Sequence, residues 1–331
     1  MVIPIKSQAP FGTSLISLAE GFVLTKQTEG KSPRTVEYYQ ENLRRFLWYA
    51  KEQGWSDDIR LLTEWQIRQF LGYVANEMNR WGLEGKGSET SHRKVCYSTV
   101  HHYFVALSCF FSWLSEEGFI NQNPMAHIKM TKPKPKVIVP YTPEEIKKML
   151  AVCDYDYKHN AKFLASRNQA ILLVLVDTGV RLSELIGMTL HSLDKEKGRI
   201  KIHGKGGKER IVRIGQAVQR ALWRYLVYRP QNGRPEIWLT EEGKPLASSG
   251  VQSLIKRLKH RAGVTTEGNT HKFRHSFALS FLRADGNVFN LQYLLGHSDL
   301  DMVRRYTATL GMEDALKAHE KASPVDLLGI K

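Results

Sequence analysis

Apolar residues in the first 120 positions recur at the spacing of amphipathic helices. Ser32 followed by Pro33 is a favourable helix start, and Thr63 with Gln66 forms a capping box. A polar, glycine-rich segment at residues 81–94 interrupts the pattern. The pattern therefore predicts a bundle of four helices. The four apolar stripes cover residues 15–23, 32–54, 63–74 and about 98–117.

The second half of the chain mixes helical stripes with a short strand pattern. A helix start at 141–145 repeats the combination of a capping residue and proline, and the long apolar segment 168–188 is broken at Gly179. At residues 199–214 the period changes to two around a glycine-rich tip, 204–208. We therefore expect a mainly α fold with one small β-sheet or hairpin. Further helix starts are expected near Ser248, Thr270 and Ser298.

Residues 131–140 separate these two halves. The segment contains three prolines, which disfavour helix and remove backbone donors, and three lysines lie along it. It reads either as a solvated spacer or as a strap along a phosphate backbone. We predict a helical domain at 1–130, a basic linker at 131–140 and a second domain at 141–331.

The charge balance points to a polyanionic partner. The 331 residues carry a formal net charge of +15, and the pI is about 9.6. Basic proteins bind nucleic acid partly because each neutralised phosphate releases condensed counterions. The longest wholly apolar run, 170–176, is far too short to span a membrane, and no secretory signal is recognisable. The three scattered cysteines fit neither a disulfide framework nor a zinc site, so we expect a reduced, cytoplasmic protein without a metal.

Basic residues lie between the apolar stripes of the first domain and along the linker. A basic face on a helical bundle suits phosphate contacts, although charged outer faces are also usual for soluble helices. The candidate DNA-binding residues are Arg34, Arg44, Arg93, Lys94, Lys132, Lys134, Lys136 and Lys208.

Two clusters in the second domain carry candidate phosphate chemistry. Arg181 and Glu184 stand three residues apart at a helix opening, where a carboxylate can hold an arginine towards a phosphate, although a surface ion pair is the more usual meaning of this spacing. The tip at 204–208 is not a Walker A loop, because no serine or threonine follows its lysine. From the residues alone, Lys205 and Lys208 are both candidate proton donors.

Four further residues stand at helix starts or within a helix near the C-terminus. His271 and Arg274 lie one turn apart in the first turn of a predicted helix, where backbone amides also favour an anion. His297 opens the next helix, and Tyr306 lies two turns into it. Each feature is weak when it stands alone, since packing or surface polarity would explain it.

Taken in order, the motifs TGVRLSEL, HGKGGKER, THKFRH and LLGHSDL followed by Tyr306 resemble a tyrosine recombinase of the phage integrase family, close to the Xer type. The resemblance covers residues 141–310, and the first domain is similar, more loosely, to the family's SAM-like core-binding domain. It implies an α+β catalytic domain and a C-shaped clamp around DNA. Residues 81–94 and 155–163 are longer than the compact Xer pattern.

The resemblance also implies a role for each site residue. Tyr306 attacks the scissile phosphate to form a 3′-phosphotyrosyl bond, with His271 as the base. Arg181 and Arg274 clamp the non-bridging oxygens. Lys205, preferred to Lys208, protonates the leaving 5′-oxygen. The remaining two roles are a hydrogen bond to the phosphate from His297 and orientation of the site by Glu184.

The family acts as a tetramer on two specific duplex sites and exchanges strands through a Holliday junction. The resemblance implies a homotetramer joined by exchange of C-terminal helices, with a second recombinase subunit or an accessory factor as further partners, a nucleoid location, and no cofactor. Integration, excision or resolution of a mobile element is the expected task, and resolution of chromosome or plasmid dimers is the alternative. A catalytically silent DNA-binding regulator, a type IB topoisomerase and a metal-dependent nuclease are the competing classes.

Overall fold

The computed structural model describes residues 12–76, 94–133, 139–204, 207–268, 270–284 and 286–296. The chain forms two compact units, Met1–Pro135 and Lys136–Lys331. The division falls inside the segment predicted as the linker, of which residues 134–138 lie outside the described residues. The two units are described separately below.

The described part of the first unit is built from helices. Its helices are α1 (Leu15–Thr28), α2 (Pro33–Glu52), α3 (Glu64–Asn76) and α4 (Tyr97–Glu116), with one 3-10 turn at Ile59–Leu61. The Ser32 side chain accepts a hydrogen bond from the amide of Thr35, and Pro33 occupies the first turn of α2. The amide of Thr63 donates to Gln66 at 2.8 Å. The four predicted helices are confirmed. Where the sequence predicted a start or a stop, the observed helix end lies within one or two residues of it.

The core of the first unit is rich in aromatic side chains. Phe22 from α1 contacts the rings of Tyr39, Phe110 and Trp113 at centroid distances of 5.2 to 5.6 Å. The Phe46 ring contacts Phe70 of α3 at 5.1 Å. These edge-to-face and tilted pairs join all four helices through apolar burial.

The second unit combines seven helices with one sheet among its described residues. Its helices are α5 (Pro143–Lys158), α6 (Lys162–Thr178), α7 (Leu182–Ile186), α8 (Gln216–Tyr228), α9 (Ser248–Arg261), α10 (Thr270–Arg283) and α11 (Val288–Leu295). Helix α5 starts where the capping residue and proline predict it, and Thr142 and Glu145 form a capping box there. A 3-10 turn at Leu190–Ser192 leads into the sheet.

The sheet has three antiparallel strands, β1 (Leu193–Asp194), β2 (Arg199–His203) and β3 (Glu209–Arg213), in the order β1-β2-β3. Strands β2 and β3 form the expected hairpin, and β1 adds a short third strand. Ile200 pairs with Val212, and Ile202 pairs with Arg210. This face of the sheet is buried against helices, so the predicted mainly α fold with a small sheet is confirmed.

Across the described residues, we find no helix with both the length and the apolar character needed to cross a membrane.

Candidate active site

The site begins at the break between α6 and α7. Gly179 ends α6 with φ of 59°, in the left-handed region that favours glycine. A Cβ atom at this position would lie 2.6 Å from the ring of Phe277, so only glycine allows this close approach to α10. The sharp turn places Arg181 at the start of α7, with Glu184 in its first turn.

Arg181 and Glu184 form a partly buried pair. The Arg181 amide and its Nη1 atom donate to the two oxygens of Glu184 at 2.8 and 2.9 Å. The Glu184 side chain is only 3% exposed, whereas that of Arg181 is 36% exposed. The pair is therefore not the solvated surface pair that this spacing usually denotes. One end of the Arg181 guanidinium is held by Glu184 while part of the side chain remains open to solvent.

Helix α10 supplies the second arginine and a histidine. Arg274 is 1% exposed and donates to the Gly179 carbonyl at 2.8 Å and to the Leu295 carbonyl at 2.5 Å. Arg181 Nη1 also lies 3.4 Å from the Leu295 carbonyl. The two guanidinium groups therefore converge on one carbonyl oxygen at the C-terminal end of α11. His271, one turn before Arg274, is exposed at the surface of the same helix.

A third arginine, which the sequence analysis did not single out, completes this arrangement. Arg210 of β3 donates to both oxygens of Glu184, at 2.9 and 2.8 Å, and to the Leu294 carbonyl at 2.7 Å. Glu184 is thus bound by two arginines, and consecutive carbonyls at the end of α11 accept hydrogen bonds from three. This helix terminus carries partial negative charge, which the arginines offset.

The ionisation of the site follows from these contacts. Burial alone would raise the pKa of Glu184, but hydrogen bonds from Arg210 and from the Arg181 amide outweigh it and lower the pKa to about 2. The pKa of His271 is lowered from 6.5, first because the protein removes part of its hydration and then because Arg274 and Arg181 are positive. At neutral pH, Glu184 is a carboxylate and His271 is a neutral imidazole that can accept a proton.

A second histidine of α10 packs against His271. The rings of His271 and His275 lie 4.8 Å apart and nearly perpendicular. His275 is buried, and this burial, with smaller contributions from His271 and Arg274, lowers its pKa to about 4. The four-residue spacing of the two histidines is the sequence signal that their rings can meet on one helix.

Lys205, His297 and Tyr306 lie outside the described residues, as do Arg93, Lys134 and Lys136. The residues that lead to two of them are described. The Gly204 amide donates to the Lys208 carbonyl at 2.7 Å, which closes the base of the loop containing Lys205. Gly296, immediately before His297, ends α11 with φ of 63°.

The described candidates for DNA contact are all at the surface. Lys94, Lys132 and Lys208 are exposed. Arg34 and Arg44 are also exposed, and each pairs with a glutamate three residues away, Glu37 at 2.9 Å and Glu41 at 2.7 Å respectively. Exposed pairs of this kind contribute little to stability, so both arginines can exchange their partners for phosphates at small cost.

The described part of the chain contains no group of three or more His, Cys, Asp or Glu side chains placed to hold a metal ion.

Comparisons with protein families match both units. The model of the phage integrase family matches residues 141–311. The model of the phage integrase N-terminal SAM-like domain matches residues 18–119. The two matches together include every predicted catalytic residue.

Similar proteins extend over nearly the whole chain. The tyrosine recombinase XerC of Lactobacillus leichmannii is 29% identical over 299 residues, which cover 88% of this chain and 94% of that protein. Among solved structures, the XerH site-specific recombinase bound to palindromic difH substrate has a TM-score of 0.68 at 21% identity, covering 95% of this chain and 85% of that one. The integrase of transposon Tn1549 with transposon right end DNA has a TM-score of 0.71 at 17% identity, covering 94% and 99%. The two structures establish the similarity of fold.

Proposed function

The chain belongs to the phage integrase family and is a tyrosine recombinase, and on this premise we propose how its residues break and rejoin duplex DNA at specific sites. The observation that carries the assignment of residues is the convergence of Arg181 and Arg274 on one oxygen, the Leu295 carbonyl. Two guanidinium groups that meet at one oxygen suit the non-bridging oxygens of a phosphodiester.

In the proposed cleavage step, the Tyr306 oxygen attacks the scissile phosphorus. A bond forms between phosphorus and the tyrosine oxygen, and the bond to the 5′-oxygen breaks. The phenolic proton passes to neutral His271, and the leaving 5′-oxygen takes a proton from Lys205. The products are a 3′-phosphotyrosyl bond and a free 5′-hydroxyl.

Arg181 and Arg274 act by stabilising the charge that grows on the phosphate oxygens in the transition state, and His297 adds a hydrogen bond there. Glu184 acts through Arg181, whose guanidinium it holds at 2.9 Å. Because the ester bond stores the energy of the cleaved phosphodiester, attack by another 5′-hydroxyl reseals the DNA. No cofactor is needed to drive this return step.

The proposed assembly is a homotetramer on two duplex sites, which exchanges strands in pairs through a Holliday junction. The N-terminal unit and the exposed basic residues would hold the DNA backbone, and the C-terminal tail would bind a neighbouring subunit. A second recombinase subunit or an accessory factor is compatible with this scheme. The proposed location is the cytoplasm, at the nucleoid.

The proposed task is integration, excision or resolution of a mobile element, because the N-terminal half, with its segment 81–94, is longer than the compact Xer pattern. Resolution of chromosome or plasmid dimers is the second candidate, and the match to XerC over 88% of the chain favours it. Mapping covalent adducts in the genome that encodes the chain separates the two. Adducts at both ends of one element support the first task, whereas a single site on a circular replicon supports the second.

The mechanism is tested with a trapped intermediate. The purified protein selects its site from random duplexes, and nicks are then stepped across the selected site so that cleavage releases a short strand and cannot reverse. With EDTA present, we expect a denaturation-resistant adduct that keeps the 5′ label of the cut strand, and we expect Tyr306→Phe to form none.

Other outcomes are equally informative. An adduct that persists in Tyr306→Phe would place the nucleophile elsewhere. Cleavage only without EDTA would indicate a metal-dependent nuclease, and tight binding without any adduct would indicate a silent regulator. Relaxation of a plasmid that carries a single site, without recombination between paired sites, would indicate a topoisomerase.

A further inference from the structure

Arg210 occupies an inward-facing position of β3 that the strand pattern otherwise fills with apolar residues. It pairs across the hairpin with Ile202, and its neighbour on the same face is Val212, both of which are buried. The side chain of Arg210 is only 6% exposed. Ile211, in contrast, points to solvent with 50% exposure. The strand thus directs an arginine into the interior and leaves an isoleucine outside.

Three segments of the site meet at this guanidinium. Two of its nitrogens bind the two oxygens of Glu184 in α7, at 2.9 and 2.8 Å. Its Nε atom binds the Leu294 carbonyl in α11 at 2.7 Å. The arginine itself lies in β3, two residues beyond Lys208. No other side chain of the described residues links β3, α7 and α11 by hydrogen bonds in this way.

Two glycines border the arginine, and Gly296 is the one that leaves room for it. A Cβ atom on Gly296 would lie 3.0 Å from Arg210 Nη1, and Gly296 also has φ of 63°. A Cβ atom on Gly204 would lie 3.1 Å from the Lys208 carbonyl, 3.8 Å from Arg210 Nη1 and 3.9 Å from Glu184 Oε1. The residue before Lys205 and the residue before His297 therefore both border the same ion pair.

We propose that Arg210 is a positioning residue that holds β3, the Arg181–Glu184 pair and the end of α11 in the arrangement needed for cleavage. It does not contact DNA in this scheme, and it acts through the groups that do. The inference rests on the proposed function, because that function assigns Lys205 and His297 to the reaction. Arg210 would affect the reaction only through its hydrogen bonds to Glu184 and to the Leu294 carbonyl.

The electrostatic setting agrees with this role. Arg210 from β3 and Arg181 from the start of α7 are the charged groups that bind Glu184, while Arg274 of α10 binds the adjoining Leu295 carbonyl. With Arg210 present, Glu184 stays ionised despite its burial. Removal of Arg210 would leave a buried carboxylate with one arginine and would free the Leu294 carbonyl.

A structural role alone must be separated from a positioning role, and Arg229 provides the matched control. It is also buried, at 3% exposure, and it donates to the carbonyls of Glu236 and Ile237, away from Glu184. Arg229→Ala therefore removes an equally buried guanidinium from the same unit without touching the site.

The experiment measures single-turnover cleavage of the nicked selected duplex by Arg210→Ala, Arg210→Lys and Arg229→Ala, with folding checked by circular dichroism and DNA affinity measured in parallel. We expect Arg210→Ala to cleave about 100-fold more slowly, the loss that misplacement of a reacting group by about an ångström can cause, while still binding DNA. Arg210→Lys, which keeps the charge but cannot bind both carboxylate oxygens, should also cleave slowly. Arg229→Ala should lose stability but cleave at a rate near that of the wild type once folded.

Two readouts distinguish positioning from general damage. Added guanidinium, below denaturing concentrations, should partly restore cleavage to Arg210→Ala and not to Tyr306→Phe. The double variant of Arg210→Ala with Glu184→Gln should cleave no more slowly than the slower single variant, because both changes break one connection.

Cleavage at the wild-type rate by both Arg210 variants would overturn the inference. The inference would also be overturned if the losses of cleavage rate from Arg210→Ala and Glu184→Gln added up in the double variant and guanidinium gave no rescue. Arg210 would then be a stabilising residue only. If Arg210→Ala fails to fold, full activity of Arg210→Lys would be enough to reject it. Absence of an adduct with the wild-type protein is a different result, since it removes the proposed function and the inference with it.

Discussion

The two units bury different kinds of side chain. In the described residues of the first unit, the buried side chains are apolar, and the charged pairs, such as Arg34–Glu37, lie at the surface. The second unit buries Glu184 together with four arginines. These arginines are Arg167, Arg210, Arg229 and Arg274.

Charge is costly to bury, so each of these arginines needs fixed acceptors. Arg167 and Arg229 bind backbone carbonyls around residues 234–239, where they hold a loop. Arg210 and Arg274 bind groups that also contact the partly exposed Arg181. A buried arginine therefore does not by itself identify the site. The buried arginines of the site differ from the others because their partners also bind Arg181, which remains partly exposed to solvent.

The sharpest test of the comparison is a core substitution in the first unit. Phe22→Ala removes a fully buried ring that contacts three others, and we expect it to lower the free energy of unfolding by about 3–5 kcal/mol. Urea unfolding would measure the loss. Trp65→Ala is the matched control, since Trp65 is 69% exposed. If the two variants were equally stable, the first unit would not depend on its aromatic core.

Mild acid should weaken the second unit before the first. The pKa of buried His275 is about 4 in the folded state against 6.5 for the free group, so the unfolded state binds the proton first as the pH falls. The stabilisation is complete above pH 6.5 and is lost progressively down to pH 4. Between pH 7 and pH 5 the loss is about 2 kcal/mol.

Hydrogen exchange at the two pH values, corrected for the intrinsic rate, measures this effect unit by unit. Protection of α10 should fall, and protection of α4 should hold, because the described histidines of the first unit are not buried. His275→Gln should reduce the pH dependence of α10. An equal loss of protection in α4 would show that the acid response is not specific to the buried histidine.

The smallest expected effect lies at the surface of the first unit. Arg34→Gln breaks an exposed pair and should change the free energy of unfolding by less than about 0.5 kcal/mol. If Arg34 contacts a phosphate, DNA affinity should nevertheless fall, and the slope of log affinity against log salt should decrease by about one. Arg60→Gln is the control, since Arg60 is exposed and pairs with Asp58 but is not a predicted DNA contact. An unchanged salt slope for Arg34→Gln would remove Arg34 from the DNA-binding surface.

Sequence patterns predicted the helices of the first unit well, because each stripe has its own apolar face and two of them have a recognisable cap. Ser32 with Pro33 and, in the second unit, Thr142 with Pro143 are local signals that tertiary contacts did not override. The short strand β1 was not predicted. Its two residues carry too little pattern, and they become a strand only through pairing with β2.

The candidate site was predictable where its residues share a turn, and less so where they meet across the fold. Arg181 with Glu184 is a local pair, whereas Arg210 reaches Glu184 over 26 positions and Leu294 over 84. A usable signal did exist in β3. Alternation back from Ile214 and Val212 places position 210 on the buried face, where an arginine requires a fixed partner, either a carboxylate or backbone carbonyls. The partner is Glu184, and its burial could not be inferred from local spacing.

The anchoring at the end of α11 has a consequence for genetics. Arg210, Arg181 and Arg274 all bind backbone carbonyls of Leu294 or Leu295, and no side chain of α11 is an acceptor in these contacts. A mutational scan across Leu294 would therefore report only the packing of a half-buried leucine and would miss the contact completely. The contact becomes visible to selection on the arginine side and at Gly296, where any side chain would meet Arg210. In such a scan, tolerance of substitutions at Leu294 and intolerance of substitutions at Arg210 would both follow from the same hydrogen bond.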